Sequence, residues 1–185
     1  MKLYIKNMVC PRCITAVEEV LQKINLSPVY VHLGEILLKK PLSDKQSKEL
    51  ETKLQKIGFE LLDNDRKQLI EKIKAIVIDR VHYKSDEKFV FTEVLAKELH
   101  KEYSQLSKLF SETQGITIEH FVILQKIEKV KELLTYNEMN LNEISFRLGY
   151  SSLAHLSAQF KKMTGLTPSQ FKAQGIQLRK SLDNL

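Results

Sequence analysis

The sequence predicts an α+β fold with an N-terminal β-α-β-β-α-β domain in residues 1–65 and an all-α domain in residues 66–175. Short stretches of alternating apolar residues, typical of strands, occur in about the first 62 residues. Apolar residues at helical spacing follow nearly to the end of the chain, and they include two similar helix-turn-helix patterns joined by a long helix. Residues 176–185 are predicted to form a C-terminal tail.

The composition is that of a soluble globular protein. The chain has 185 residues, of which 43% are hydrophobic and 28% are charged, so neither a fibrous nor a disordered class fits. No apolar run approaches the length of about 20 residues that is needed to cross a bilayer, and we expect a cytoplasmic protein with no membrane partner. The net charge of +6 favours a polyanionic partner only mildly.

The N-terminal domain is predicted from four strands and two helices. The strands are marked by apolar residues in Leu3–Ile5, Val29–Leu33, Ile36–Leu38 and Phe59–Leu62. The first helix is expected to begin near Cys13, and the second opens with a capping box that joins Ser43 to Gln46. The resulting order, β-α-β-β-α-β, is that of the ferredoxin-like unit.

The all-α domain is predicted from helix caps. One helix runs from about Arg66 to Val81, and a long central helix reaches Leu134. Other helix starts are indicated by capping residues at Thr92, Thr117, Asn140 and Thr167, the last of them followed by proline at the first helical position. Asp63-Asn64-Asp65 is the only plausible joint between the two domains.

The all-α domain contains one pattern twice. Thr92–Gly115 and Asn140–Gly165 each contain a short capped helix, a turn and a second helix that ends at glycine. The apolar positions of the two second helices are Leu106, Leu109 and Phe110 in the first copy and Leu153, Leu156 and Phe160 in the second. Two copies joined by one long helix favour two helix-turn-helix units over an ordinary helical bundle.

The second copy also carries a specific signature. It comprises Ile144–Ser152, Leu156, Gln159–Lys162 and Gly165–Phe171, with upstream matches at Leu95-Ala96, Ser104, Leu106, Phe110, Gly115, Lys126-Ile127 and Leu133-Leu134. Over about residues 67–174 the chain therefore resembles the AraC/XylS transcriptional regulators. The resemblance implies a seven-helix domain in which two recognition helices enter major grooves of double-stranded DNA. We expect a sequence-specific transcriptional regulator, whose oligomeric state the sequence does not determine.

Side chains outside the apolar stripe of each recognition helix are the candidates for DNA contact. They are Ser104, Gln105, Ser107, Lys108 and Ser111 in the first helix, and Ser152, His155, Gln159, Lys161 and Lys162 in the second. Gln105 and Lys108 are the best candidates for reading bases, because glutamine pairs with adenine and lysine contacts guanine or phosphate. For each of them, an idle polar surface residue is the alternative.

Two departures from the family pattern concern the second helix-turn-helix and the central helix. Ala158 stands where the family frequently has arginine, and Lys126 replaces the usual arginine of the central helix. We therefore expect the second unit to read fewer bases and to act more through the DNA backbone.

The two cysteines of the chain, Cys10 and Cys13, lie between the first strand and the first helix. With Met8 before them and Gly58-Phe59 before the last strand, they resemble the heavy-metal-associated domain of copper chaperones and transporter tails, although Asn7 and Val9 depart from its usual residues. The positive end of the helix and Arg12 are expected to favour the thiolate form. Two soft thiolates suit Cu(I) or another soft metal ion, and we expect DNA binding to respond to that ion.

Other interpretations of the cysteine pair stay open. Zinc fits less well, because His32 is the only other ligand available in this half, and Met8 is expected to pack under the loop. A dithiol redox pair is the main rival, followed by a degenerate site kept for the fold or for partner contact. The alternative function is a metallochaperone-like or thiol redox-sensing protein. We expect no enzyme and no catalytic residues, because no nucleophile, base and oxyanion donors converge.

Overall fold

The computed structural model describes residues 1–84, 90–137, 139–174 and 182. The chain divides into two compact units, an N-terminal unit of Met1–Ile76 and a C-terminal unit of Val77–Leu185. The division falls inside a helix, whereas the sequence placed the domain boundary at residue 65, which stays a prediction. Apart from Leu182, the predicted tail lies outside the described residues. Among the described helices, none has the length and apolar character to span a membrane.

The N-terminal unit has four strands and two helices in the predicted order, followed by most of a third helix that continues into the C-terminal unit. They are β1 (Lys2–Lys6), α1 (Pro11–Lys23), β2 (Pro28–His32), β3 (Glu35–Leu38), α2 (Asp44–Gln55) and β4 (Glu60–Leu62). All strand pairs are antiparallel, and the four strands lie side by side in the order β2-β3-β1-β4. The sheet therefore places β1, which leads into the cysteine loop, at an interior position.

The core of the N-terminal unit forms between one face of the sheet and the helices α1 and α2. Alternate strand residues such as Ile5, Val31 and Ile36 are buried there with Leu21 and Leu50 from the two helices. Each such buried side chain contributes about 1.5–3 kcal/mol relative to an exposed one. This packing holds the start of α1, and with it the cysteine loop, at one edge of the core.

Of two local predictions for the N-terminal unit, the capping box of α2 is confirmed and the start of α1 is corrected. The capping box of α2 is present, since the backbone N–H of Gln46 donates to Ser43 Oγ at 3.3 Å and Gln46 Oε1 accepts from the Ser43 N–H at 3.1 Å. The start of α1 was placed too late: the helix begins at Pro11, with Cys10 as its cap. Proline favours this first helical position because its missing N–H would have no partner there.

All the regular secondary structure described in the C-terminal unit is helical. Its chain enters through α3 (Asp65–Ile78), and then come a π-helical turn (Asp79–Tyr83), α4 (Phe91–Leu99), α5 (Tyr103–Gln114), α6 (Ile118–Tyr136), α7 (Leu141–Arg147), α8 (Leu153–Thr164) and α9 (Pro168–Gln174). The central helix α6 is about 28 Å long at a rise of about 1.5 Å per residue. It contacts both α5 and α8, so one element supports both helix-turn-helix units.

Caps predicted from the sequence are confirmed at three of four helix starts. Thr117 Oγ1 accepts from the His120 N–H, Asn140 forms a capping box with Glu143, and Thr167 forms one with Gln170. The prediction for Thr92 was wrong. Helix α4 begins at Phe91, so Thr92 lies inside its first turn, and the cap is Val90, whose carbonyl accepts the first backbone bonds.

The helix predicted from Arg66 to Val81 changes its character near its end. The α-helical bonding stops at Ile78, and the next turn is π-helical, with Val81 and His82 both buried. His82 Nε2 lies 3.0 Å from Oε1 of Gln125, a completely buried residue of α6. The wider turn is thus associated with a buried polar contact that no apolar pattern could indicate.

Candidate functional site

The two helix-turn-helix units repeat one buried framework. Helix α5 aligns residue for residue with α8, so that Leu106 and Phe110 correspond to Leu156 and Phe160, and all four are completely buried. Leu109 and Leu153, which were predicted within the apolar stripes, are only half-buried. Both helices end at a glycine in the left-handed conformation.

An aromatic pair anchors each of these helices to the helix that follows it. The rings of Phe110 and Phe121 are 5.6 Å apart, and the rings of Phe160 and Phe171 are 5.5 Å apart, both measured between centroids. Tilted contacts of this kind are favourable beyond the area that they bury. Because α6 and α9 hold α5 and α8 in the same way, the two exposed helix faces are comparable.

The exposed face of α5 carries three of the five residues predicted for it. Ser104, Gln105 and Lys108 are exposed, whereas Ser107 and Ser111 are half-buried, against the expectation that they point fully outward. Helical geometry explains the difference, because these two serines follow the buried residues Leu106 and Phe110 directly along the chain. Within the described residues, the side chains of Gln105 and Lys108 make no hydrogen bond, so both remain available to a ligand.

The candidate residues of α8 make more hydrogen bonds within the protein than those of α5 do. Ser152 caps the helix, its Oγ accepting from the His155 N–H at 3.1 Å, which leaves the hydroxyl hydrogen for another acceptor. The His155 ring is exposed, and its Nδ1 lies 3.0 Å from Ser151 Oγ. Gln159 is half-buried, while Lys161 and Lys162 are exposed at the end of the helix.

A residue that was quoted in the signature but given no role lies behind this face. Tyr150, in the turn before α8, donates a hydrogen bond to Gln159 Oε1 at 2.7 Å, and its ring meets the His155 ring edge-on at 5.4 Å. Lys126 Nζ lies 5.3 Å from the centroid of the same ring. Burial raises the pKa of Tyr150 and lowers the pKa of Lys126, so the phenol stays a hydrogen-bond donor at neutral pH.

The cysteine loop of the N-terminal unit brings its two sulfur atoms together. Cys10 Sγ and Cys13 Sγ are 3.4 Å apart, and both residues are half-buried. Burial raises the pKa of the Cys13 thiol, opposite to the direction expected from the helix start; a backbone contact at Val9 lowers it, and the neighbouring Cys10 raises it again. Met8 is buried in the core, as the sequence predicted.

A hydrogen bond holds the cysteine loop on its other side. The Asn7 side chain donates to the Gly58 carbonyl at 3.1 Å, which joins the loop to the turn before β4. Asn7 itself has a φ of 72°, in the left-handed region that asparagine tolerates better than most residues. No group of three or more histidine, cysteine, aspartate or glutamate residues is arranged for a metal ion within the described ranges. His32 instead stacks on Tyr30 at 4.5 Å.

Comparison with known proteins places the likeness in the C-terminal unit. Residues 95–174 match the model of a helix-turn-helix domain. Over 69 residues the chain is 38% identical to an uncharacterized HTH-type transcriptional regulator of Staphylococcus aureus and to the xylose operon regulatory protein of Escherichia coli. These alignments include 37% of this chain but 9% and 18% of the two relatives, so the chain spans less than a fifth of the curated relatives that it matches.

A solved structure shows the same fold. A transcriptional regulator from Chromobacterium violaceum, described as containing an AraC-type DNA-binding domain, superposes with a TM-score of 0.50 at 19% sequence identity. The superposition covers 58% of this chain and 96% of that one. Residues 95–174 of the chain therefore form a helix-turn-helix domain, and its fold is that of an AraC-type DNA-binding domain.

Proposed function

We propose that the chain is a sequence-specific DNA-binding transcriptional regulator in which α5 and α8 are the recognition helices. The observation that carries the proposal is the repeated framework: two helices with the same buried residues and the same aromatic anchor present polar, exposed faces. A rigid connector such as α6 suits two major grooves, which lie about 34 Å apart on one face of the duplex. The similarity to named transcriptional regulators supports this function over one in which the N-terminal unit is the main activity.

The exposed side chains divide into two chemical roles in this proposal. Gln105 and Lys108 reach base edges from α5, with Ser104 beside them and the half-buried Ser107 and Ser111 contributing at the margin. Helix α8 uses His155 and Gln159 toward bases and Lys161 and Lys162 toward phosphates, while Ser152 donates its remaining hydroxyl hydrogen.

Sequencing of DNA sites selected from a random pool by the full chain tests this function. We expect the wild-type protein to enrich one motif and a Gln105→Ala, Lys108→Ala double variant to lose preference at the positions read by α5. Lys48→Ala, which removes an exposed lysine of the N-terminal unit, is the matched control and should select the wild-type motif. If the double variant also keeps that motif, this face of α5 does not read DNA.

The N-terminal unit is, in our proposal, a ferredoxin-like domain of the heavy-metal-associated kind. Support comes from its element order, from its strand order β2-β3-β1-β4 and from the position of the cysteines, Cys10 at the cap of α1 and Cys13 in its first turn. The donor set fits a soft ion of low coordination number, such as Cu(I), because two sulfur atoms converge and the described residues place no histidine, aspartate or glutamate with them in a metal-binding group. The sulfur atoms are 3.4 Å apart in this structure, so the two thiolates would have to separate to hold an ion between them.

Metal uptake by the reduced full chain separates this proposal from its rivals. We expect one Cu(I) to be retained against a competing chelator, and Cys13→Ser to abolish the uptake without unfolding the protein. Met8→Leu is the control, because a buried packing residue should not alter uptake. Failure to bind Cu(I) together with rapid loss of both free thiols under mild oxidation would favour the redox pair instead.

Regulation by the ion is a separate part of the proposal. If occupation of Cys10 and Cys13 changes affinity for DNA, then DNA must change affinity for the ion by the same factor. Titration of the selected DNA site with ion-loaded, ion-free and Cys10→Ser proteins measures this coupling. Identical affinities, with uptake confirmed, would exclude ion control of DNA binding.

A further inference from the structure

Tyr150 connects two of the exposed residues of the second recognition helix. It follows Gly149, whose φ of 68° turns the chain between α7 and α8, and its backbone N–H donates to the Ser145 carbonyl at 2.9 Å. These features place its ring in the turn and beneath α8. From there the hydroxyl reaches Gln159 and the ring edge reaches His155.

The hydrogen bond to Gln159 selects which atoms of the amide remain for other partners. An amide side chain offers an oxygen acceptor and two N–H donors. The Tyr150 hydroxyl donates to Oε1 at 2.7 Å, which orients the amide plane and directs its oxygen toward the protein. The nitrogen, with its two hydrogens, is therefore the part of Gln159 left to meet a ligand.

His155 is held at the same time from two directions. Its Nδ1 lies 3.0 Å from Ser151 Oγ, and its ring stands at 86° to the ring of Tyr150. Its backbone N–H is bound to the capping hydroxyl of Ser152. Since His155 and Gln159 are four residues apart on one helix face, Tyr150 constrains two neighbouring side chains together.

Among the residues that the structure describes, the first helix-turn-helix shows no equivalent arrangement. The residues of α5 that align with His155 and Gln159 are Gln105 and Leu109. Leucine cannot accept a hydrogen bond, and the Gln105 side chain makes none within the described part of the chain. The contact is therefore specific to the second unit and is not needed to build a helix-turn-helix.

We propose that Tyr150 is a positioning residue that determines which hydrogen-bonding groups of Gln159 and His155 are presented to DNA. This inference rests on the proposed DNA-binding function. A glutamine with a free amide pairs with adenine through both its oxygen and its nitrogen. With the oxygen bonded to Tyr150 and directed toward the protein, Gln159 presents chiefly its two N–H donors, and it suits acceptor edges such as O6 and N7 of guanine or O4 of thymine.

Removal of the hydroxyl alone tests this role. Tyr150→Phe keeps the ring that touches His155 and frees the Gln159 oxygen. In site selection with the full chain, we expect preference at one base position read by α8 to move toward adenine by about three- to tenfold, the range of one hydrogen bond. Positions that depend on Gln105 and the salt dependence of binding should not change. Tyr136→Phe, a hydroxyl loss at an exposed tyrosine, is the control.

A second variant separates positioning from a general structural role. Gln159→Leu introduces the residue type that α5 has at this position and leaves Tyr150 in place. If Tyr150 acts through Gln159, then Tyr150→Phe should have no further effect on base preference in the double variant, whatever it does to stability. Additive effects on base preference, or a Tyr150→Phe motif identical to that of the wild type, would overturn the inference. A wild-type protein that selects no motif would instead overturn the DNA-binding function itself.

Discussion

The first and second helix-turn-helix units have the same buried residues at aligned positions of their second helices but different exposed residues. Each buries a leucine and a phenylalanine in its second helix, Leu106 with Phe110 and Leu156 with Phe160, and each anchors that phenylalanine on a following helix. On the exposed side, the glutamine and lysine of α5 are replaced at the same positions by His155 and Ala158 of α8. The buried positions therefore define the fold, and the exposed ones leave room for two different contacts.

The two turns also differ. The left-handed residue after α4 is His100, and the corresponding one after α7 is Gly149. Only three residues separate α4 from α5, whereas a longer segment with Tyr150 and the cap Ser152 separates α7 from α8. The additional length carries Tyr150 and Ser151, whose hydrogen bonds to Gln159 and His155 have no counterpart at the aligned positions among the described residues of α5.

The largest effect should come from removal of either aromatic anchor. Phe110→Ala and Phe160→Ala should each lower the free energy of unfolding by about 3–5 kcal/mol, because each leaves a cavity at a completely buried site. Urea unfolding followed by helical circular dichroism measures both. Phe146→Ala, at a phenylalanine that is 72% exposed, is the control and should change little. A large loss for one anchor and almost none for the other would show that the two frameworks are not equivalent.

Acidification should destabilise the packing of the π-helical turn on α6, the helix that both helix-turn-helix units contact. Burial lowers the pKa of His82 to about 4, so the folded protein binds fewer protons than the unfolded chain between that value and the ordinary pKa of 6.5. Stability should therefore be complete above about pH 7 and fall as the pH drops toward 4, by up to about 3 kcal/mol in total. The charged groups near His82 are Lys129, Glu132 and Glu128.

Comparison of unfolding curves over this pH range tests the role of His82. His82→Gln keeps a polar side chain beside Gln125 without a group that titrates there, so its stability should depend less on pH than that of the wild type. An unchanged pH dependence in His82→Gln would assign the effect to the neighbouring carboxylates.

Base discrimination should depend more on α5 than on α8. Gln105→Ala should reduce preference for the best DNA site by about 1–3 kcal/mol, the range of one good side-chain contact to a base. His155→Ala should have a smaller effect, because Ser151 and Tyr150 already occupy part of that side chain. Affinities for the selected site and for single-base variants of it measure both, and a larger loss for His155→Ala would reverse the assignment.

Substitution of the left-handed residue should lower the stability of the protein in the second turn but not in the first. Gly149→Ala should destabilise the protein by about 1–2 kcal/mol, because a side chain is strained at a φ of 68°. His100→Gly should not destabilise it, because the residue already has a φ of 52°. Thermal unfolding of the two variants side by side measures the difference, and equal destabilisation would contradict this explanation.

The smallest expected effect concerns phosphate contacts. Lys161→Ala and Lys162→Ala should each weaken binding to all DNA sequences alike and lower the slope of log affinity against log salt by about 1. The aligned residues of α5 are Ser111 and Glu112, so no matching salt effect is expected from the first unit. Affinity measured at several salt concentrations checks this, and a change in base preference would mean that these lysines contact bases.

Features that depend on a few neighbouring residues were predictable from the sequence. The capping boxes at Ser43 and Asn140 and the cap at Thr117 are local hydrogen bonds, so short motifs indicate them correctly. The repeat of buried leucine and phenylalanine is likewise visible as a spacing. These local signals are sufficient to define most of the helices and the framework of both helix-turn-helix units.

Features that depend on distant contacts were not predictable in the same way. The π-helical turn brings His82 to Gln125, 43 residues later in the chain, and no local pattern reports that contact. Partial burial against the core raises the pKa of the Cys13 thiol, and this contribution depends on contacts that its place at a helix start does not indicate. The role of Tyr150 needed the distance to Gln159, because the sequence showed only that it belongs to a turn.

Both helix-turn-helix units pack on α6, so their contacts form in the order in which the chain is synthesised. The first helix-turn-helix gains its aromatic partner, Phe121, as soon as the start of α6 has been made. The second unit packs against residues of the same helix, namely Ile127, Val130, Leu133 and Leu134. Its aromatic contact needs Phe171 of α9, which is synthesised later. On the ribosome, the contacts of the first helix-turn-helix can therefore form before the residues of the second have all been translated.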